Sequence, residues 1–168
     1  IQEVYGMHNW PGIPVGQFAV REGAQMAAAD FFEINITGKG GHAALPQLAV
    51  DTTLAASHVV VAVQSIVSRS IDPLKTVVVS VCGMRSDSDT FNVIPGLIIL
   101  RGTVRYFDPL VQTQVIDRLT SLAENTAKAF GALAEVTYTP CVPPTINSPE
   151  AAERAANVAL TVSGSVIR

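Results

Sequence analysis

Between Phe31 and Thr37 apolar and polar positions alternate, with Phe32, Ile34 and Ile36 on one side and Phe31, Glu33, Asn35 and Thr37 on the other. A period of two marks a half-buried strand. Residues 48–70 read as a helix, with Asp51 in the first turn, where a carboxylate meets the positive end of the helix dipole. Asp72-Pro73 ends it, because a residue before proline avoids helical angles. Residues 76–82 are a β-branched run, Val77, Val79 and Val81 alternating with Val78, Ser80 and Cys82, and predict a second strand. Residues 83–90 are polar and read as a loop. Residues 97–107 predict a third strand, with Ile98, Leu100, Val104 and Tyr106 on one face and Arg101, Thr103 and Arg105 on the other. Asp108 caps and Pro109 opens a second helix, whose apolar stripe is Ile116, Leu119, Ala123, Ala127 and Phe130 and which closes at Gly131. Residues 134–139 predict a last strand with Val136 and Tyr138 inward.

The order strand, helix, strand, strand, helix, strand predicts an α+β fold over residues 29–140. It is a ferredoxin-like βαββαβ sandwich, with a four-stranded antiparallel sheet and two helices on one face. Residues 1–28 are too rich in Gly and Pro for long regular elements. Residues 141–168 hold a proline linker and then a helix that starts at Ser148-Pro149-Glu150 and runs to about residue 162. Neither flank has a place in the sandwich. Both read as cut ends of a second, catalytic domain into which the sandwich is inserted.

The two helices differ in their polar faces. The second carries Asp117, Arg118, Glu124 and Lys128 opposite its apolar stripe, an ordinary half-solvated helix. The first has no charged residue from Thr52 to Ser68; its polar stripe is Ser57, His58, Gln64, Ser65 and Ser68, with Leu54 and Val61 in the middle. That is the composition of a protein contact surface. The other reading is a helix buried inside its own domain. His58 fits a packed polar residue at that contact better than a ligand.

Composition points the same way. The chain is 48% hydrophobic and only 15% charged, against a usual charged share of about 25%, so part of its surface is expected to be covered by a partner subunit or a missing domain. A net charge of -3 with no basic stripe argues against nucleic acid. No apolar run reaches the roughly 18 residues of a membrane span, so no membrane partner and a cytoplasmic location are expected. The chain does not begin with Met and is read as a fragment. Cys82 and Cys141 fit no metal spacing and are expected to be reduced.

The candidate chemistry starts in Gly38-Lys39-Gly40-Gly41-His42-Ala43-Ala44-Leu45-Pro46, where glycines allow a tight turn with positive φ and a histidine sits at its rim. His8, in Gly6-Met7-His8-Asn9-Trp10-Pro11, is either the last residue of a strand or a loop histidine beside Trp10. Arg101 and Arg105 share a strand face and either bind an anion or form a solvated outer face.

Five motifs occur in one order: Gly6 to Pro11, His42-Ala43-Ala44-Leu45-Pro46, Ser68-Arg69 with Asp72-Pro73-Leu74, Asn92-Val93-Ile94-Pro95, and Gly102-Thr103-Val104-Arg105. Together they resemble the amidohydrolase branch of the aminoacylase and carboxypeptidase-G type metallopeptidases, which includes hippurate hydrolases and auxin-conjugate hydrolases. The resemblance implies a lid and dimerisation domain inserted into a catalytic domain that holds two divalent metal ions (Zn, Mn or Ni). It implies a homodimer and a small N-acyl amino acid as substrate. It implies that His8 is a metal ligand and that His42 polarises the scissile carbonyl in the partner subunit's site. Asn92 and Arg105 are implied to hold the substrate's carboxylate or carbonyl. In that family the other ligands and the general base come from a Cys-Gly-His type motif, a Glu-Glu pair and a later histidine, none of which occurs in this chain. The chain by itself is therefore expected to be inactive. The alternative is a non-catalytic ferredoxin-like module for dimerisation or small-molecule binding.

Overall fold

A computed structural model describes residues 1–167. In chain order the elements are β1 (Phe18–Ala19), β2 (Gly23–Met26), β3 (Ala29–Thr37), β4 (Gly41–His42), α1 (Thr52–Val63), β5 (Val77–Ser86), β6 (Val93–Ile94), β7 (Leu97–Tyr106), α2 (Pro109–Ala129), β8 (Leu133–Val142), β9 (Thr145–Asn147), α3 (Pro149–Ser163) and β10 (Val166–Ile167). They divide into two compact units. Ala28–Pro143 forms one, and Ile1–Ala27 with the described residues from Pro144 onward forms the other.

The central unit is built on an antiparallel sheet of order β5-β7-β3-β8. Phe32, Ile34 and Ile36 of β3 and Ile98, Leu100 and Val104 of β7 are buried on one face. Ala55, Ala56, Val59 and Val63 of α1 and Val111, Val115, Leu119, Ala123 and Ala127 of α2 join the same core cluster. Both helices therefore cover one face, and the other face carries Glu33, Arg101, Thr103 and Arg105. Gly102 lies in the inward row because nothing larger fits: a Cβ there would stand 2.1 Å from Phe32 Cζ and 2.3 Å from the Ser80 carbonyl.

Three elements depart from expectation, two in their bounds and one in the row it buries. The segment expected as one helix over 48–70 is a 3₁₀ turn (Pro46–Leu48), then α1, then a π turn (Ile66–Ser70). Asp51 is the N-cap of α1, its Oδ1 accepting the Leu54 N–H at 3.0 Å, so the helix cannot start earlier. The π turn lets both Ile66 and Ile71 enter the core. β5 continues past Cys82 to Ser86, where a loop was expected. A bulge between Val81 and Gly83 absorbs the phase break, and the backbone of 83–86 pairs with β7. In α2 the fully buried row starts at Val111 and Val115, while Ile116 is only half-buried. Asp108 caps α2 through Leu110 N–H at 2.9 Å and receives Lys75 Nζ at 2.7 Å. That ammonium, followed by the Leu110 N–H, lowers its carboxyl from the usual range.

In the terminal unit β1 pairs in parallel with β10, and β2 antiparallel with β9. Ser148 Oγ caps α3 by accepting the Ala151 N–H at 3.2 Å, and Ala152, Ala156 and Ala159 are buried. Arg154 pairs with Glu3 and also donates to Tyr5. Residues 1–10 contain no strand, so the strand-end reading of His8 is corrected; Gly6 and Pro11 flank it in irregular chain. No helix among the described residues is long and apolar enough to cross a membrane.

Asp30 is a buried carboxylate inside the central unit, 1% exposed. Its Oδ2 accepts Gln112 Nε2 at 2.7 Å and Tyr138 Oη at 2.8 Å, and its Oδ1 accepts the Cys141 N–H at 3.1 Å. Burial alone raises its pKa, but hydrogen bonds from Tyr138, Gln112, Cys141 N–H and Tyr106 together lower it below the ordinary value. Burial and the Asp30 charge in turn push Tyr106 up to about 12 and raise Tyr138 further. Because Asp30's folded pKa is depressed, its contribution to stability is present above the unfolded value of about 3.9 and is lost as pH falls through the folded value. Asp30→Asn is expected to lower unfolding free energy at pH 7 by roughly 1–3 kcal/mol and to flatten the acid limb below about pH 4, read by urea titration across pH.

Candidate functional site

The β3–β7 ladder does not stop at the sheet. Thr37 pairs with Leu97, the Gly38 N–H donates to Gly96 O at 2.9 Å, and β4 then pairs with β6, Gly41 opposite Ile94 and His42 opposite Val93. The Ala43 N–H donates to Asn92 O at 3.0 Å. Two strands of chain thus run side by side beyond the sheet and carry His42 and Asn92 to one place.

The glycines serve closeness, not handedness. Gly38, Gly40 and Gly41 all have negative φ, which corrects the expected positive-φ turn. A Cβ on Gly38 would lie 2.7 Å from both Val50 O and Thr52 Cγ2, and one on Gly40 3.0 Å from Ile94 O. The Val50 N–H donates to Lys39 O at 2.8 Å, and the buried Thr52 hydroxyl donates to Pro95 O at 2.8 Å. The start of α1 therefore clamps both sides of the loop.

The His42 ring is exposed but held. The Ala44 N–H donates to its Nδ1 at 3.0 Å. A backbone N–H can only donate, so Nδ1 carries the lone pair and the neutral ring keeps its proton on Nε2. The exposed Nε2–H is then a donor for an incoming oxygen. Asn92 is exposed one residue before Val93, the register partner of His42, and its carboxamide has no partner among the described residues.

Arg105 is elsewhere. It lies near the far end of β7, opposite Val78 of β5. From Leu97 to Arg105 the strand rises roughly 27 Å at about 3.4 Å per residue. The fold joins His42 with Asn92 and leaves Arg105 at the opposite end. Arg101 is tied to Glu33 by a 2.9 Å ion pair, which separates two arginines that looked alike in sequence. Arg105 has no acidic partner among the described residues.

In the terminal unit His8 Nδ1 lies 2.5 Å from Asn9 O, and its ring meets Trp10 edge-on at 6.0 Å. A carbonyl can only accept, so Nδ1 holds the proton and Nε2 is a free lone pair of the kind a metal takes. No group of three or more His, Cys, Asp or Glu among the described residues is arranged to hold a metal. The residues present therefore do not make a metal site by themselves. His58 stacks on Phe130 at 4.5 Å. Cys82 and Cys141 are free and exposed.

Sequence reasoning missed Asp30 and the Ala44 bond to His42. Asp30 had a signal, since it continues the inward phase of Phe32, Ile34 and Ile36, where an unpaired carboxylate is not tolerated. The Ala44 contact depends on loop geometry that no residue pattern encodes.

The family described as the peptidase dimerisation domain matches residues 29–130 of this chain. N-acetyl-L-cysteine deacetylase of Bacillus subtilis (strain 168) is 42% identical over 147 residues, covering 88% of this chain and 35% of the relative. IAA-amino acid hydrolase ILR1-like 5 of Arabidopsis thaliana is 40% identical over 149 residues, covering 86% of this chain and 34% of the relative. Among solved structures, the Bacillus subtilis YXEP protein, described as a dinuclear metal binding peptidase from the M20 family, aligns with a TM-score of 0.70 at 30% identity. That alignment covers 97% of this chain and 40% of the other. The chain spans about a third of the length of the curated relatives it matches.

Gly38→Ala forces a Cβ against a backbone carbonyl and is expected to destabilise the central unit by about 1–3 kcal/mol. It should also speed hydrogen exchange at the Ala43 amide. Gly83→Ala meets nothing within 4 Å and is expected to shift stability by less than about 0.5 kcal/mol. Equal effects of the two would remove the close-approach argument.

Proposed function

The chain belongs to the M20 peptidase dimerisation-domain family, and on that premise we propose that it is the lid and dimerisation domain of a metal-dependent amidohydrolase acting on N-acyl amino acids. The sandwich is read as ferredoxin-like, a reading supported by β3 and β7 lying centrally between β5 and β8. The terminal unit is read as pieces of the catalytic domain. Relatives whose names are those of a deacetylase and an amino acid hydrolase support an enzymatic reading over a non-catalytic module.

The observation that carries the reading is the held His42 ring. When an amide carbonyl is attacked, negative charge gathers on its oxygen, and a donor already in place lowers the barrier. His42 Nε2–H is such a donor, because Ala44 fixes the tautomer beforehand. Asn92 adds a carboxamide at the same end. Arg105 takes the substrate's carboxylate, for which a guanidinium is suited in shape and charge. His8 is one ligand of the dinuclear metal centre; metal there supplies the activated water when bound. The other ligands and the general base lie outside this chain.

Separation supports action across two subunits. A small amide is far shorter than the span from His42 to Arg105, so one lid cannot apply both to one substrate. A second copy supplies the missing group. α1 is the surface for it: Leu54 is 48% and Val61 71% exposed on a helix without a charged residue. β5 ends the sheet order and offers a second surface, its unpaired edge, to the same copy.

In the full-length enzyme with zinc or manganese, hydrolysis of N-acetyl or N-benzoyl amino acids is expected, and His42→Ala is expected to remove about 3 kcal/mol of transition-state stabilisation. An unchanged rate in that variant removes His42 from the mechanism. Val61→Glu is expected to convert a dimer to a monomer in sedimentation at micromolar concentration; a persistent dimer moves the interface off α1.

A further inference from the structure

We infer that Thr103 is a positioning residue that decides which edge of the Arg105 guanidinium meets the substrate. The inference rests on the reading of Arg105 as the carboxylate ligand. Thr103 stands two residues before Arg105 on the same open face of β7, opposite Phe31 of β3. Its hydroxyl donates to Asp30 O at 2.8 Å. A hydroxyl has one proton, and this bond uses it. The oxygen can then only accept from its other side, where Arg105 Nη1 donates to it. Nη1 also donates to Val104 O at 3.1 Å. Both protons of Nη1 are thereby satisfied within the strand.

What remains is the Nε–Nη2 edge, two parallel N–H groups with no partner among the described residues. That edge is the fork that takes a planar carboxylate through two parallel bonds. Without the hydroxyl, Nη1 keeps only its bond to Val104 O, and the guanidinium is held to that edge by one bond instead of two. The acceptor that starts this chain is itself fixed, since the Asp30 carboxylate is held by Gln112, Tyr138 and the Cys141 N–H. Thr103 therefore links a rigid point of the core to a flexible side chain. The substrate class implied is one with a free, unhindered carboxylate; a primary carboxamide in its place gains nothing from the arrangement.

The test uses the full-length enzyme and a matched pair of substrates, an N-acyl amino acid and its primary amide. Thr103→Val is expected to raise KM for the acid by about tenfold, with kcat within about twofold and the thermal midpoint unchanged. KM for the primary amide should not move, and Thr103→Ser should restore KM for the acid. In an Arg105→Ala background, Thr103→Val should add less than about twofold, because its effect passes through Arg105. If Thr103→Val does not fold, Thr103→Ala takes its place in the same cycle. An unchanged KM for the acid, or an effect that persists in the Arg105→Ala background, overturns the inference alone. An Arg105→Ala variant with unchanged KM overturns the carboxylate reading and this inference with it.

Discussion

The antiparallel pairing of β3 with β7 is the constraint on which the rest depends. It runs through eight residue pairs, from Asp30 with Val104 to Thr37 with Leu97, then continues into the loops as β4 with β6. One ladder therefore does three things. It sets the phase that puts Phe32, Ile34, Ile36, Ile98 and Leu100 into the core. It carries His42 and Asn92 to one end. It leaves Thr103 and Arg105 at the other, on the open face. A slip of one residue would turn every one of these side chains over. Two devices hold the register. Gly102 admits the Phe32 ring where any side chain would collide with it, and Asp30 gathers donors from α2 and β8 at the opposite end from the loop.

Much of the central unit was legible because its physics is local. Alternation at Phe31 to Thr37 and at Ile98 to Tyr106, the Asp108-Pro109 helix start and the Ser148 cap each depend on neighbouring residues alone. The parts that were not legible depend on partners far along the chain. Cys82 looks like a strand end until β7 supplies ladder partners beyond it, and the bulge keeps the strand going. The π turn at Ile66 to Ser70 is decided by which isoleucines the core accepts. The glycine loop suggests a tight turn with positive φ, and it is instead a clamped double strand between Val50, Thr52 and Pro95. Of the two arginines on β7, only the cross-strand Glu33 tells Arg101 apart from Arg105.

The charge-free face of α1 and the His42 loop meet at one helix start. α1 begins at the residues that clamp the His42 loop and exposes Leu54 and Val61 along its length. A second copy on that face would be coupled to the loop by a single rigid helix start. The opposite ends of β7 then become complementary halves of a site that neither copy completes. Packing, dimerisation and the placing of a carbonyl donor are in this view consequences of one ladder.

The claim most open to direct measurement is that His42 and Arg105 serve the same substrate from different subunits. Full-length His42→Ala and Arg105→Ala variants, each nearly inactive, would be unfolded, mixed in equal amounts and refolded, and assayed for N-acyl amino acid hydrolysis. Recovery to about a quarter of the unmutated rate is expected, since roughly half of the dimers are mixed and each of those holds one intact site. A mixture no more active than its separate components, with mixed dimers shown to have formed, would contradict it.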